Sequence, residues 1–192
     1  MIAIIKYNGG NVSSIQNALQ RLNAESIITD DPEMIMKADK VIFPGVGEAS
    51  STMKILKENG LDSLIPSLQQ PVLGICLGMQ LMCMNNEEGN TQGMGIFNVN
   101  VKHFPAKDIV PHMGWNAISE FKSTVFSGVE EKSDVYFIHS YYCELSENTT
   151  ALCDYILPFS ASLQKNNFYA MQFHPEKSGA TGSRLLQNFL NL

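Results

Sequence analysis

The sequence predicts an α/β protein: an open, mostly parallel central sheet with helices on both faces and an antiparallel strand extension in its second half. Three observations carry this expectation. In the first half, short apolar runs alternate with segments of helical period. Those runs are nearly continuous in Val, Ile and Leu, as strands covered on both faces must be. In the second half, strand-like runs follow one another with few helical segments between them.

Taken in order, Ile2–Tyr7 reads as the first strand, and Gly9-Gly10 turns the chain into a helix over about Asn11–Leu22. The apolar positions Val12, Ile15, Ala18, Leu19 and Leu22 fall on one face of that helix. Glu25–Thr29 is the second strand, and Asp30-Asp31-Pro32 caps a short helix through about Lys37. Lys40–Phe43 is a third strand, ending in the glycine-rich loop Pro44-Gly45-Val46-Gly47. A helix follows over about Glu48–Glu58 and breaks at Gly60, and Pro71 opens a buried strand, Val72–Ile75. Beyond it, Leu77–Met82 has helical spacing and good helix formers. Strands are then expected at Gly95–Phe104, Ala117–Ile118, Val135–Ser140, Thr149–Tyr155, Ser160–Lys165 and Phe168–Phe173, with a final helix over about Ser183–Leu192. No repeat, linker or low-complexity stretch interrupts the 192 residues, which reads as a single domain over 1–192.

Composition narrows the function classes. The chain is 44% hydrophobic and 17% charged, an ordinary globular balance. Its formal net charge of −6, with no Lys/Arg cluster, argues against a nucleic-acid or anionic-membrane surface. The apolar start MIAII is too short for a signal peptide or a membrane span, which points to the cytoplasm. Cys76, Cys83, Cys143 and Cys153 lack CxxC spacing and read as free thiols. Without matching His or Asp spacing they make a poor metal site, so no metal and no cofactor is expected.

The segment PVLGICLGMQLM, residues 71–82, places Cys76 between a strand and a helix with Gly74 and Gly78 on either side. That is the thiol form of a nucleophile elbow: the turn is too tight for side chains at its flanks, and it exposes the sulfur. The helix that follows offers free N–H groups and a positive dipole end. Five residues alone fit a packed core cysteine equally well. A base is available in MQFHPEKSG, where Pro175 ends a strand at His174. Glu176 lies two residues on, and in extended chain its carboxylate faces the same side as the imidazole and fixes its tautomer. His174 by itself fits a satisfied strand-end histidine. With Cys76 and Glu176 it completes a nucleophile–base–carboxylate set at the carboxyl ends of parallel strands. Pro44–Gly47, otherwise a turn, can present the Gly47 N–H as one half of an oxyanion hole, with the Leu77 N–H as the other.

GICLGMQ, HPE and PGVG, in their sequence positions, resemble the class I (triad) glutamine amidotransferases. PHMGWN (111–116), FIHSYY (137–142) and HPEKSGATG (174–182) narrow the resemblance to the glutaminase subunits of imidazole glycerol phosphate synthases, over essentially the whole length. The resemblance implies hydrolysis of L-glutamine through a γ-glutamyl thioester on Cys76, with His174 as acid and base and Glu176 orienting it. It implies substrate contacts from Gln80, Glu88 and the backbone of Ser140 and Tyr141. It also implies a one-to-one heterodimer with a (β/α)8-barrel cyclase that receives ammonia through a channel, with Asn11, His112, Met113, Trp115 and Lys177 at the interface. Trp115 alone would pass for a core aromatic, but in PHMGWN it sits among loop-forming residues, which favours a surface contact. One departure stands near the start: Lys6-Tyr7-Asn8 replaces the Asp followed by Tyr-Gly of many relatives, in a loop expected at the interface.

Other readings predict different behaviour. A glutaminase serving an anthranilate or pyridoxal phosphate synthase would pair with another partner, and PHMGWN argues against it. A cysteine hydrolase on a related fold would leave Gln80 and Glu88 idle, and a non-catalytic binding protein would not need the Cys76–His174–Glu176 set. Because uncoupled hydrolysis wastes glutamine, low activity alone and activation by the ligand-bound synthase are expected, with Val46-Gly47 able to turn either a carbonyl or an N–H to the site.

Overall fold

The computed structural model describes residues 1–7, 12–45 and 47–192. The Gly9-Gly10 turn, Asn11 and Val46 lie outside the described residues. Strands β1 (Ile2–Ile5), β2 (Ser26–Thr29), β3 (Lys40–Phe43) and β4 (Val72–Ile75) alternate with helices α1 (Val12–Arg21), α2 (Pro32–Lys37), α3 (Ala49–Glu58) and α4 (Leu61–Ser67). Helix α5 (Leu77–Leu81) follows β4 directly. The second half contains β5 (Asn85–Asn86), β6 (Thr91–Gln92), β7 (Asn100–His103), β8 (His112–Ser119), β9 (Ser133–His139), β10 (Tyr141–Cys143), β11 (Thr149–Asp154), β12 (Pro158–Lys165) and β13 (Phe168–Met171), then α6 (Gly179–Leu190).

Among the described residues, nine strands form one sheet in the order β2-β1-β3-β4-β13-β12-β11-β8-β9. The pairings from β2 through β13 are parallel, and those from β13 through β9 are antiparallel. This is the mostly parallel sheet with an antiparallel extension that the sequence predicts. Residues alternate between its faces: Ala3, Ile5, Val41 and Phe43 join one core, and Ile2, Ile4 and Ile42 the other. Helices α2 to α5 cover the first face, while α1 and α6 cover the second through Ile15, Leu19, Leu185, Leu186 and Phe189. A small second sheet, β10-β7-β5-β6, lies alongside.

Several expected boundaries shift. PHMGWN is strand from His112 onward rather than loop, because β8 pairs with β9 along its length, from His112↔His139 to Ile118↔Ser133. Of the expected Gly95–Phe104 strand only Asn100–His103 pairs. Helix α4 forms although Pro66 lies inside it, and α6 begins at Gly179, earlier than its apolar period suggests. Among the described residues no helix is long and apolar enough to cross a membrane.

Candidate active site

The carboxyl ends of β3, β4 and β13 converge on one cleft of about 410 Å³, lined by Gly45, Gly47, Cys76, Leu77, Gln80 and Glu88 on one side. Ile138, Ser140, Tyr141, His174 and Lys177 line the other. Cys76 follows β4 with φ 54° and ψ −113°, a conformation that a non-glycine residue adopts only when its surroundings impose it. Here they do. A Cβ on Gly78 would lie 2.2 Å from the Phe43 carbonyl oxygen, and one on Gly45 would lie 2.0 Å from the Gly78 nitrogen. The strand-to-loop corner after β3 and the first turn of α5 are thus in direct backbone contact, which only glycine at both positions allows. Tyr7, buried and packed on Phe43, donates its hydroxyl hydrogen to the Pro44 carbonyl and fixes the loop from the other side. Within Lys6-Tyr7-Asn8 the residue that supports the glycine loop is thus Tyr7, which matches the relatives' tyrosine, while Asn8 lies outside the described residues.

His174 follows β13 and is held by its N–H to the Tyr136 carbonyl at 2.9 Å. Its Nδ1 meets Glu176 Oε1 at 2.8 Å, with both side chains almost fully buried. The pairing does not come from extended chain, as the two-residue spacing suggests. Pro175 starts a 3-10 turn, Pro175–Lys177, and that turn folds the carboxylate back onto the ring. Ser178 Oγ fastens the turn by donating to the His174 carbonyl at 2.6 Å and accepting the Tyr136 N–H at 3.0 Å. Helix α6 then packs so closely that a Cβ on Gly182 would lie 1.9 Å from the Pro175 oxygen. Glu176 Oε2 is buried with no hydrogen-bond partner among the described residues, so the carboxylate's charge is directed at His174. Burial favours the neutral imidazole, but hydrogen bonds and charge interactions with Cys76 and Glu176 outweigh it and raise His174 from 6.5 to about 10. With Nδ1 on Glu176, the nitrogen left to bond Cys76 is Nε2.

Cys76 Sγ lies 3.9 Å from the Ile138 carbonyl and 3.7 Å from Gln172 Nε2. Gln172 was not singled out by the sequence, although it sits in MQFHPE two residues before His174. The signal that could have found it is the strand period, which puts Gln172 and His174 on one side of the chain. Gln80 lines the cleft, and its Nε2 donates to the Tyr141 carbonyl and to Gln172 Oε1, both at 3.0 Å. Glu88 lies at the cleft edge, where its Oε2 accepts the Ala49 N–H at 2.8 Å and so helps to cap α3. Burial raises the Glu88 carboxyl above its ordinary value, the Ala49 bond opposes this, and the charge of Glu48 adds to it. Gly47 has φ +114° and lines the same cleft as His174.

The residues expected at a partner surface divide by strand alternation. Met113 and Trp115 on β8 are 60% and 57% exposed, and Lys177 is exposed beside them with its Nζ 5.9 Å from the Tyr136 ring centroid. Trp115 packs edge-on against Tyr136. His112, in contrast, is buried: one residue before Met113 in a strand, it must point to the opposite face. It stacks on Phe137 and Tyr155 and bonds His139 Nε2 through Nδ1 at 3.0 Å. His139 Nδ1 in turn meets the Tyr141 carbonyl at 2.7 Å, and Asn116 Nδ2 meets His112 Nε2 at 3.3 Å. A carbonyl only accepts, so His139 Nδ1 carries hydrogen and its Nε2 accepts from His112 Nδ1. Desolvation lowers His112 to about 4, and lowers His139 to about 3 against the opposing Tyr141 bond, so both rings are neutral at pH 7. Among the described residues no group of three or more His, Cys, Asp or Glu side chains could hold a metal ion.

The family model for glutamine amidotransferase class-I matches residues 3–192. The imidazole glycerol phosphate synthase subunit HisH of Bacteroides fragilis (strain YCH46) is 59% identical over 194 residues, spanning 100% of this chain and 99% of that one. The subunit of the same name from Blochmanniella floridana is 44% identical over 100% of this chain and 99% of its own. Among solved structures, a glutamine amidotransferase superposes with a TM-score of 0.77 at 19% identity, covering 99% of this chain and 97% of that one. A glutamine amidotransferase from Thermotoga maritima superposes with a TM-score of 0.65 at 17% identity, covering 99% and 82%. At those identities the two structures share the fold.

Proposed function

The chain belongs to the class I glutamine amidotransferases, and from that premise we propose that it is the glutaminase subunit of an imidazole glycerol phosphate synthase, working in histidine biosynthesis. It hydrolyses L-glutamine to glutamate and ammonia and hands the ammonia to a (β/α)8-barrel cyclase in a one-to-one complex, in the cytoplasm. The observation that carries this reading is the strained Cys76 elbow facing a His174–Glu176 pair across one cleft.

The residues divide the work. With its proton already on His174 Nε2, the Cys76 sulfur attacks the side-chain amide carbon of glutamine. The carbonyl oxygen becomes an oxyanion, received by the backbone N–H groups of Gly47 and Leu77, a contribution of about 3–4 kcal/mol per donor in comparable sites. His174 returns the proton to the leaving nitrogen, ammonia departs, and the thioester remains. His174 then takes a proton from water, whose oxygen attacks the thioester carbon. Collapse breaks the C–S bond, the Cys76 sulfur leaves as a thiolate paired with the protonated His174, and the new carboxyl loses its proton to solvent as glutamate. Glu176 holds the ring tautomer throughout. Glu88 and the backbone of Ser140 and Tyr141 form the wall for the amino-acid end of glutamine, and Gln80 holds that wall by donating to the Tyr141 carbonyl. The exposed Met113, Trp115 and Lys177 form the cyclase contact, and the family resemblance adds Asn11. His112 acts from beneath that face rather than on it.

The test is glutamate release by the chain alone, and with the cyclase and its nucleotide ligand. The expected result is low activity alone and strong activation in the ligand-bound complex. Cys76→Ala should abolish turnover in both, and turnover that survives it would overturn the reading.

A further inference from the structure

Three buried carboxamides run head to tail from the second sheet to the nucleophile. Asn86 Nδ2 meets Gln80 Oε1 at 3.3 Å, Gln80 Nε2 meets Gln172 Oε1 at 3.0 Å, and Gln172 Nε2 meets Cys76 Sγ at 3.7 Å. All three side chains are buried, Gln172 completely. Their orientation is fixed by backbone groups at two separate points. The Glu88 N–H can only donate, and it meets Asn86 Oδ1 at 2.8 Å, which turns Nδ2 toward Gln80. The Tyr141 carbonyl can only accept, so the atom facing it at 3.0 Å is Gln80 Nε2. The remaining Gln80 hydrogen reaches Gln172 Oε1, which leaves Gln172 only N–H groups to present to the sulfur. Both anchors give the same polarity, with the positive end of every amide dipole toward Cys76.

We propose that Gln172 is a further catalytic residue, whose carboxamide donates to Cys76 Sγ and holds the sulfur as a thiolate, and that Gln80 is a positioning residue acting through it. A thiol at this position can donate to the Ile138 carbonyl, 3.9 Å away. A thiolate cannot, and accepts instead from Gln172 and from the protonated His174. The amide relay therefore favours the charged form, and each amide in it polarises the next. It also accounts for Gln80: with both amide hydrogens committed internally, its effect on the reaction is delivered through Gln172. The inference rests on Cys76 being the nucleophile, as the proposed function has it.

The experiment reads Cys76 without glutamine. Iodoacetamide alkylation of Cys76 is followed by mass spectrometry at pH 7 and pH 10, in the unsubstituted chain and in Gln172→Met. A hydrogen bond to a charged group is worth about tenfold or more in an equilibrium constant. Alkylation at pH 7 should therefore slow about tenfold, while the rates at pH 10 stay within twofold. In the cyclase complex kcat should fall by a similar factor with KM for glutamine unchanged. Gln80→Met, which leaves Gln172 in place without its anchor, should slow alkylation at pH 7 at least threefold, and it carries the test if Gln172→Met does not fold. In the unsubstituted chain, the Gln172 side-chain amide resonance should move with the pH dependence of alkylation. Rates at pH 7 within twofold of the unsubstituted chain in a folded variant, or a resonance that does not move, would overturn the inference and leave the glutaminase reading to its own Cys76→Ala test.

Discussion

The buried histidine pair makes the fold sensitive to mild acid in a way that can be calculated. His112 and His139 are lowered to about 4 and about 3, from 6.5 in the unfolded chain, chiefly by desolvation. Between pH 6.5 and those values the unfolded chain binds protons that the folded chain refuses, so stability falls as pH falls. At pH 4.5, two units below the unfolded value, each ring contributes a loss of about 2.5 kcal/mol, together about 5 kcal/mol. That is comparable with the whole stability of a marginal domain. Urea unfolding at pH 7.0 and 4.5 measures it, with the double variant His112→Gln/His139→Gln as the reference, since Gln keeps a donor and an acceptor without titrating. The unsubstituted chain should lose about 5 kcal/mol more than the variant between the two pH values. Equal losses within about 1 kcal/mol would refute the neutral, single-tautomer chain from Asn116 to Tyr141.

Three further substitutions test the same geometry. Glu176→Gln removes one of the two partners, with Cys76, that hold His174 protonated, and glutamate release in the complex should fall on the order of 10²–10⁴-fold. Because His174 is raised to about 10, its contribution to stability is present in full below pH 6.5 and lost as pH rises through 10. Glu176→Gln should flatten that alkaline limb in urea titrations. Gly78→Ala places a methyl 2.2 Å from the Phe43 carbonyl, where backbone must yield on both sides. A loss near the upper end of the usual overpacking range, about 3 kcal/mol, should appear in thermal melts together with reduced turnover. Trp115→Ala should weaken the cyclase complex about tenfold or more in titration calorimetry, with the chain's own stability changed by less than about 0.5 kcal/mol.

The first four strands and the elbow were legible because their signals are local: apolar runs, glycines at a tight turn, and proline after His174. The pairing of His174 with Glu176 was legible as a pair but not as a geometry. Spacing suggests extended chain, whereas Pro175 starts a 3-10 turn that Ser178 fastens to Tyr136 and to the His174 carbonyl. PHMGWN misled for a related reason. Gly114 and Asn116 look like turn formers, yet cross-strand pairing with β9 holds the segment extended, and alternation then sends His112 inward while Met113 and Trp115 stay out. Helix α4 was hidden by Pro66, which its last turn tolerates. Gln172 was hidden because its two-residue spacing from His174 places it on one side of the chain without assigning it any chemistry; its role depends on Gln80 and Cys76 from another part of the chain.

Two of these hydrogen-bond chains end on one atom, and this limits how glutamine can be held. The Tyr141 carbonyl accepts from His139 Nδ1 at 2.7 Å and from Gln80 Nε2 at 3.0 Å. A carbonyl oxygen has two lone pairs, so it is filled. It fixes the His139 tautomer on one side and the amide relay to Cys76 on the other, and it has nothing left for a substrate ammonium. Glu88 is differently placed: Oε2 is committed to the Ala49 N–H, while Oε1 can meet a cation at the cleft edge. The α-amino group of glutamine should therefore bind at Glu88, and the 140–141 segment should contribute through atoms other than the Tyr141 carbonyl. Glu88→Gln should raise KM for glutamine at least tenfold in the complex while leaving the pH 7 alkylation rate of Cys76 within twofold. A glutamine-bound structure with the ammonium on the Tyr141 oxygen would refute this, because it would require either His139 or Gln80 to release its bond.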